Sequence, residues 1–498
     1  MVLESRKYQA FYTKSAPIVD YMVEKLSLEH NDMIFEPCGG DGVFVEAILN
    51  RNKNANIDIC ELNDKAFNIL KNKFYAYPAV NIRRCDTLLD NNLIFHSQFG
   101  GIYDKIIANP PYGAWQDYDK RKTLKKIFPD IYAKETYTLF LFRCIALLKN
   151  RGILTFIIPD TFLNLHMHKA IREHILTRTK ILELTLFPSS FFPGVNFGYA
   201  NLSIITLQKC NNREECLNNN FKIFNGFTNI EQLTDKLNWS TYTQKEIIGN
   251  PDHSFFIAND RKVIMAINTI KLKIGDVADC VTGFYSGDDK KYLRVISPDL
   301  KNGKNYNLIK PLDINKSYKS IPDILDGIDG EKFFIPVVKG GNIKYIKPDW
   351  WFMNWSKEAV LHYKVNKKSR FQNSQFYFKF GIGVPMISSS SITASLIENK
   401  LFDQSIVGIF PKDESLTYYL LAFFNSPTCN QLIRTINSST NNSANYIKKI
   451  PFAMPDEKTL KDITNIISEI LISIKENRDF DKSFEMQIND YFKALYGF

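Results

Sequence analysis

Residues 33–209 alternate short apolar runs with amphipathic segments, and this alternation restricts the fold more than any other feature of the chain. MIFEPC (33–38) reads as a strand, and VFVEAILN after it as a helix. NIDICELN (56–63), AVNIRRCDTLL (79–89) and YDKIIANPPY (103–112) predict three more strands, and DKAFNILKNKF, after the second, predicts a helix. ETYTLFLFRCIALLK (135–149) is a largely apolar helix, and GILTFIIPDTFL (152–163) a fifth strand with its loop. HKAIREHILTRT is helical, and ILELTLF (181–187) and NLSIITLQK (201–209) close the series. Strands that alternate with helices predict an α/β fold: an open, mostly parallel sheet with helices on both faces. Ligands of such sheets bind beyond the carboxyl ends of the strands. Chemistry is therefore expected at Glu36–Gly42, Glu61, Asp86, Asn109–Tyr112 and Pro159–Asp160.

The second half is less regular. Residues 210–255, with KCNNREECLNNN, are polar and asparagine-rich and read as a loop or linker. Beyond them come a Gly-Asp turn at TGFYSGDDKKYL (282–293), the aromatic and basic KYIKPDWWFMNW (344–355) and the polar SSTNNSANYIKKIPFAMP (438–455). A second domain of α+β type is expected, ending in a helix over EKTLKDITNIISEILISIKENRDF. The boundary is placed between residues 245 and 246.

The chain has 498 residues, a length that fits two or three domains. Its formal net charge of +10 suits an anionic partner such as nucleic acid and equally a lysine-rich surface. The eight cysteines are scattered without a C-x-x-C pair, so no disulfide framework is expected and a reducing cytoplasm fits. His166 and His168 lie two apart, a spacing that does not favour a shared metal on a helix, and no metal is expected. No apolar stretch approaches the roughly 20 residues of a membrane-spanning helix.

FEPCGGDG follows the first strand and opens a helix. Gly40 and Gly42 allow a tight turn and close approach of a ligand to the backbone. Val45 stands where a dinucleotide-binding loop would carry its third glycine. Glu61 ends the second strand, where an acid accepts hydrogen bonds from ribose hydroxyls. Asp86 follows the third strand and could accept from an adenine amine. Glu36 adds a third carboxylate. Glycines beside carboxylates suit a cationic nucleoside better than a pyrophosphate, and S-adenosylmethionine, with an ammonium, a sulfonium and no phosphate, fits this pattern.

KIIANPPYGAW (105–115) ends the fourth strand. An exocyclic amine on a nucleobase is a poor nucleophile, because its lone pair is delocalised into the ring. Two acceptors aimed at its hydrogens favour a pyramidal nitrogen. Asn109 offers a side-chain carbonyl. Pro110 offers a backbone carbonyl held rigid by the fixed φ of two prolines. Tyr112 offers a face for stacking. A methyl on a sulfonium already has a good leaving group, so positioning can carry much of the rate.

Residues 8–209 resemble the catalytic domain of the gamma class of DNA amino-methyltransferases, which make N6-methyladenine as part of restriction-modification systems. FYTKSAPIVDYMV, FEPCGGDG and YDKIIANPPYG are similar to that family's cofactor and catalytic motifs, in the gamma order. RGILTFIIPDTFLN and FFPGVNFGYANLSIITLQK resemble later ones. The resemblance implies a Rossmann-like sheet that binds S-adenosylmethionine through Thr13, Glu36, Pro37, Cys38, Gly40, Gly42, Glu61, Asp86 and Asn109. It implies that Asn109, Pro110 and Tyr112 hold a flipped adenine, with Phe192 or Phe197 on its other face. Thr13 departs from the family pattern, since Lys14 rather than proline follows it.

The second half resembles target-recognition domains, on patchier motifs. Lys290, Lys291, Lys339, Lys344 and Lys347 are candidate phosphate contacts, and Trp350, Trp351 and Trp355 are expected in the core. The resemblance implies double-stranded DNA as partner, a monomer, and a separate cognate endonuclease. No nuclease is expected ahead of the first motif or at the C-terminus. Asn-Pro-Pro-Tyr also serves enzymes acting on cytosine N4, RNA or glutamine, and a non-catalytic DNA-binding protein could keep the same fold.

Overall fold

The computed structural model describes residues 15–113, 118–191, 201–227, 229–233, 239–388, 391–437 and 439–498. The chain divides into two compact units between Phe256 and Ile257 rather than between residues 245 and 246. Residues just before the division belong to the first unit by packing: Phe255 is buried against Phe162 and Phe221, and its N–H donates to the Leu163 carbonyl at 3.0 Å.

The first unit is built on one sheet of nine strands in the order β3-β2-β1-β4-β5-β7-β6-β8-β9. The strands are β1 Met33–Glu36, β2 Asn56–Glu61, β3 Val80–Arg84, β4 Tyr103–Ala108, β5 Leu148–Pro159, β6 Thr179–Pro188, β7 Asn201–Lys209, β8 Asn220–Phe224 and β9 Trp239–Thr243. From β3 across to β5 every pairing is parallel. β7 runs antiparallel to both β5 and β6. Residues 210–255, expected as a linker, instead contribute β8 and β9 to the sheet. The apolar alternation in NFKIF had been masked by its asparagine-rich surroundings: Phe221 and Ile223 are buried while Lys222 faces out.

Strand order reverses between β1 and β4. Crossovers are right-handed, so the helices that follow β1 and β2 cover one face and the helix Thr136–Leu147, which precedes β5, covers the other. Local chemistry sets where these helices begin. The Asn63 side chain caps Asp64–Lys73, accepting from the N–H groups of Lys65 and Ala66, and Lys71 and Lys73 close its last turn. Val43–Arg51 starts at Gly42, whose φ of 76° is left-handed.

Cys60 and Cys85 are joined by a disulfide, with Cα atoms 5.5 Å apart, contrary to the expectation that the cysteines stay unpaired. Sequence spacing did not show it, because the contact comes from pairing β2 beside β3, with Cys60 opposite Arg83.

The second unit carries a four-stranded sheet, β10-β18-β15-β16, and a five-stranded one, β12-β11-β14-β13-β17. These strands are β10 Ala278–Thr282, β11 Leu293–Val295, β12 Asn307–Leu308, β13 Phe334–Val338, β14 Trp351–Asn354, β15 Phe380–Pro385, β16 Ser395–Glu398, β17 Leu401–Phe402 and β18 Ile406–Pro411. Trp355 is wholly buried among Phe284, Tyr363, Phe371 and Tyr377, and its indole N–H donates to the Ile324 carbonyl at 2.7 Å. Trp351 is buried and Trp350 partly buried against the same core. The helix Glu457–Lys475, capped by Asp456, buries Ile463, Ile467, Ile470 and Leu471, and a further helix, Ser483–Tyr496, follows.

The glycine turn after β1 tolerates no side chain. A Cβ on Gly42 would lie 2.6 Å from Phe74 and 2.8 Å from Leu70, both buried, at a φ that already disfavours one. Gly42→Ala should therefore lower unfolding stability by about 1–3 kcal/mol in denaturant titrations. An unchanged midpoint would contradict this packing.

Candidate active site

The strand-order reversal opens a crevice at the carboxyl ends of β1 and β4, the usual ligand site of such sheets. The two expected motifs meet there. The Cys38 thiol lies 3.4 Å from the Asn109 carbonyl, so the glycine turn and the Asn-Pro-Pro-Tyr loop touch directly. Thr87, just past Asp86, donates from Oγ1 to the Pro37 carbonyl at 2.5 Å and ties in the end of β3.

Glu36 ends β1 and is buried. Its Oε2 has no hydrogen-bond partner among the described residues. Burial, then the neighbouring charges of Asp41 and Glu61, hold its carboxyl well above the usual range. Glu61 ends β2, also buried, and accepts from the Gly40 N–H at 2.8 Å and the Asn63 N–H at 2.7 Å. Burial raises its pKa, and those backbone donors partly offset the rise. Asp86 stands at the end of β3 as expected, but its carboxylate is engaged: Lys120 Nζ lies 2.6 Å from Oδ2, and the Leu88 N–H donates to Oδ1 at 3.0 Å. Lys120 was not foreseen. It sits in DYDKRKTLKK, a charged stretch that reads as a solvated helix face.

Asn109 is half-buried and Pro110 buried. Tyr112 is 1% exposed; its hydroxyl donates to the Ile157 carbonyl at 3.1 Å and its ring meets Tyr137 edge-on at 6.4 Å. The open stacking face expected of Tyr112 is thus enclosed, because the ring is anchored beneath the end of β5. Tyr137 in turn lies 2.9 Å from Thr161 through their hydroxyls. Two residues before it, Glu135 marks the start of the helix Thr136–Leu147, and burial pushes its carboxyl up to about 7. Thr13, Phe192 and Phe197 lie outside the described residues.

Of the lysines named as phosphate contacts, Lys290 and Lys291 are exposed. Lys344 pairs with Glu485 at 2.7 Å. Lys339 and Lys347 are interior instead of superficial. Lys339 pairs with Asp289 and Asp403, and Lys347 is buried and donates to the Gly340 carbonyl at 3.0 Å. Their aliphatic stems and internal acceptors account for this placement, which a count of basic residues cannot reveal.

The crevice fits S-adenosylmethionine on its own chemistry. A buried carboxylate oxygen on Glu36 lacks a partner among the described residues, two further acids flank it, and Gly40 and Gly42 bring bare backbone to its edge. Such a donor set attracts a cation and repels a phosphate. Among the described residues no group of three or more His, Cys, Asp or Glu side chains is gathered for a metal, and no helix is long and apolar enough to cross a membrane. His166 is exposed and pairs with Asp252, while burial and Arg172 lower the pKa of His168 to about 3.

A sheet with this strand order, an acid-lined glycine turn and an adjacent Asn-Pro-Pro-Tyr loop define a Rossmann-like methyltransferase fold. Residues 8–192 match the family described as Eco57I restriction-modification methylase, and the chain is similar to type II methyltransferases. It is 29% identical over 270 residues to the type II methyltransferase M.AccI of Acinetobacter calcoaceticus, an alignment covering 49% of this chain and 48% of that one. The chain thus spans about half the length of M.AccI, whereas the match to M.HindII of Haemophilus influenzae, 23% identical, covers 98% of each. Among solved structures, a nuclease-deletion mutant of the Type ISP restriction-modification enzyme LlaGI shares the fold with a TM-score of 0.58 and 10% identity, over 93% of this chain and 54% of that one. A DrdV–DNA complex shares it with a TM-score of 0.53 and 12% identity, over 94% and 57%.

The raised pKa of Glu36 has a definite sign in stability. A carboxyl whose folded pKa exceeds its unfolded value loses stability as pH rises through the folded value. Glu36→Gln keeps the neutral form, so its melting temperature should exceed that of the wild type by a margin that widens toward alkaline pH. The same substitution should weaken S-adenosylmethionine binding about tenfold or more, by loss of a charge-assisted contact. Calorimetry in buffers of different ionisation enthalpy should show proton release on binding to the wild type and less to the variant. Equal affinities would exclude Glu36 from the site.

Proposed function

We propose that the protein is a site-specific DNA methyltransferase that transfers a methyl group from S-adenosylmethionine to the N6 amine of a flipped-out adenine in double-stranded DNA. The observation that carries this reading is the contact of Cys38 with Asn109, which puts the Asn-Pro-Pro-Tyr loop beside the acid-lined crevice. Support for DNA as substrate comes from the family match, from the names of the aligned type II methyltransferases and from fold-sharing enzymes solved with DNA. The protein would serve as the modification enzyme of a restriction-modification system, with a cognate endonuclease as a separate partner. It would act in the cytoplasm as a monomer, with a catalytic unit and a target-recognition unit.

Glu36 holds the cationic amino-acid end of the donor, and Glu61 accepts from its ribose. Asp86 takes the adenine amine once Lys120 yields. The donor, when bound, supplies an electrophilic methyl group on a sulfonium. Asn109 Oδ1 and the Pro110 carbonyl accept from the two hydrogens of the target amine, which turns its lone pair toward the methyl. The fixed φ of Pro110 and Pro111 keeps the carbonyl in place without a reorganisation cost. The amine loses its proton after transfer, so no strong general base is needed. Tyr112 walls the base pocket from the β5 side, and stacking on its ring requires the groups enclosing it to part. Extruding the base costs a few kcal/mol, recovered in part by that enclosure.

Methylation-sensitive sequencing of plasmid DNA from cells expressing the protein tests the reading. N6-methyladenine at one short sequence is expected for the wild type. Asn109→Ala should lose at least about a hundredfold in methyl transfer, by analogy with the removal of one oriented polar group from a transition state, with S-adenosylmethionine affinity nearly unchanged. Methylation at cytosine N4 would correct the base, and full activity of the variant would remove Asn109 from the mechanism.

A further inference from the structure

Two loops of the second unit are laced into one ribbon. Ile387 and Asn441 form an antiparallel bridge. The Asn442 N–H donates to the Met386 carbonyl at 2.6 Å, and the Ser388 N–H to the Thr440 carbonyl at 3.0 Å. Arg434, on the helix Pro427–Ile436, holds both loops at once. Its guanidinium donates to the Ser439 carbonyl at 2.9 Å, the Ser388 carbonyl at 2.9 Å and Asn442 Oδ1 at 3.3 Å. Asn437 adds a donor, from Nδ2 to the Asn441 carbonyl at 2.8 Å.

This lacing fixes a small surface. Asn442 is wholly buried, and its Nδ2 has no acceptor among the described residues. Its neighbour Asn441 is exposed, and while its backbone N–H donates to Ser439 Oγ at 3.3 Å, its side-chain amide makes no hydrogen bond among the described residues. Ile387, directly across the bridge, is 73% exposed in an otherwise serine- and asparagine-rich tip. An ordered ribbon that displays one amide and one branched apolar side chain is costly in entropy unless something is recognised there.

Charge points to the occupant. Residues 427–455 contain Arg434, Lys448 and Lys449 and no Asp or Glu, and the exposed or half-buried Met386, Ile387 and Asn441 of the ribbon are flanked in the sequence by no acid. Two loops without acids, with Lys448 and Lys449 exposed nearby in the sequence, suit a polyanion. A single exposed apolar side chain is too little for a membrane. A two-stranded ribbon is of a size that enters the major groove, where Asn pairs with adenine edges and apolar groups meet thymine methyls.

We propose that the ribbon formed by Met386–Ser388 and Thr440–Asn442 reads base edges in double-stranded DNA, with Asn441 making the polar base contact and Ile387 the apolar one. This rests on DNA being the substrate. Arg434 is a positioning residue, since its guanidinium is engaged by Ser388, Ser439 and Asn442 of the two loops.

The test uses the full chain with tritiated S-adenosylmethionine. Its substrates are duplexes carrying the methylated sequence found for the wild type and every single-base change of it. Asn441→Ala should lose about tenfold of discrimination at one base pair and keep it elsewhere. Ile387→Ala should lose discrimination at one thymine-bearing position. Both side chains are exposed, and melting temperature and S-adenosylmethionine affinity should match the wild type. Wild-type discrimination at every position in both variants would overturn the proposal. So would a uniform loss across all sequences with a shallower salt dependence, which marks phosphate contacts. A wild-type protein that methylates no duplex would overturn the reading of DNA as substrate, and the ribbon's role with it.

Discussion

The site depends on the point at which the sheet changes direction. β1 and β4 are neighbours in space, but their crossovers leave on opposite faces, which opens a crevice between their carboxyl ends. Into that gap the chain sends its two least ordinary turns. The glycine turn is possible only because Gly40 and Gly42 adopt left-handed φ values of 56° and 76°. The Asn-Pro-Pro-Tyr loop is rigid for the opposite reason, since its prolines allow little choice of φ. One turn supplies closeness and the other supplies rigidity, and the Cys38–Asn109 contact joins them.

Much of this architecture was legible in the sequence because burial leaves a strong signal. β1, β2, β4 and β5 lie in the sheet interior and read as apolar runs. Legibility failed where burial was partial or the partner lay far along the chain. β8 and β9 sit at the sheet's margin, and their alternation was drowned by surrounding asparagines. The Cys60–Cys85 bond and the Lys120–Asp86 pair depend on which elements lie side by side, and spacing says nothing of that. In the candidate site, Glu36, Glu61 and Asn109 could be placed because they end strands, where sequence position and spatial position coincide. The burial of Tyr112 could not, since it is set by the end of β5, far along the chain.

The second unit shows why a basic sequence is a poor guide to a basic surface. Lys339 and Lys347 would count toward a positive patch, yet one pairs with the buried Asp403 and the half-buried Asp289, and the other caps internal backbone. An unpaired buried carboxylate would be far more costly than the lysine that accompanies it. The informative signal is instead an absence, the long stretch without Asp or Glu around Arg434.

The Lys120–Asp86 pair has a consequence for timing. Lys120 belongs to the helix Tyr118–Ile127, which follows the Asn-Pro-Pro-Tyr loop in the chain. On the proposed function, a nucleoside amine seated on Asp86 would compete with the ammonium already there, so filling the donor site would weaken the contact that holds this helix. A helix joined to the Asn-Pro-Pro-Tyr loop would then give donor and target base a shared free energy, and such sharing is reciprocal.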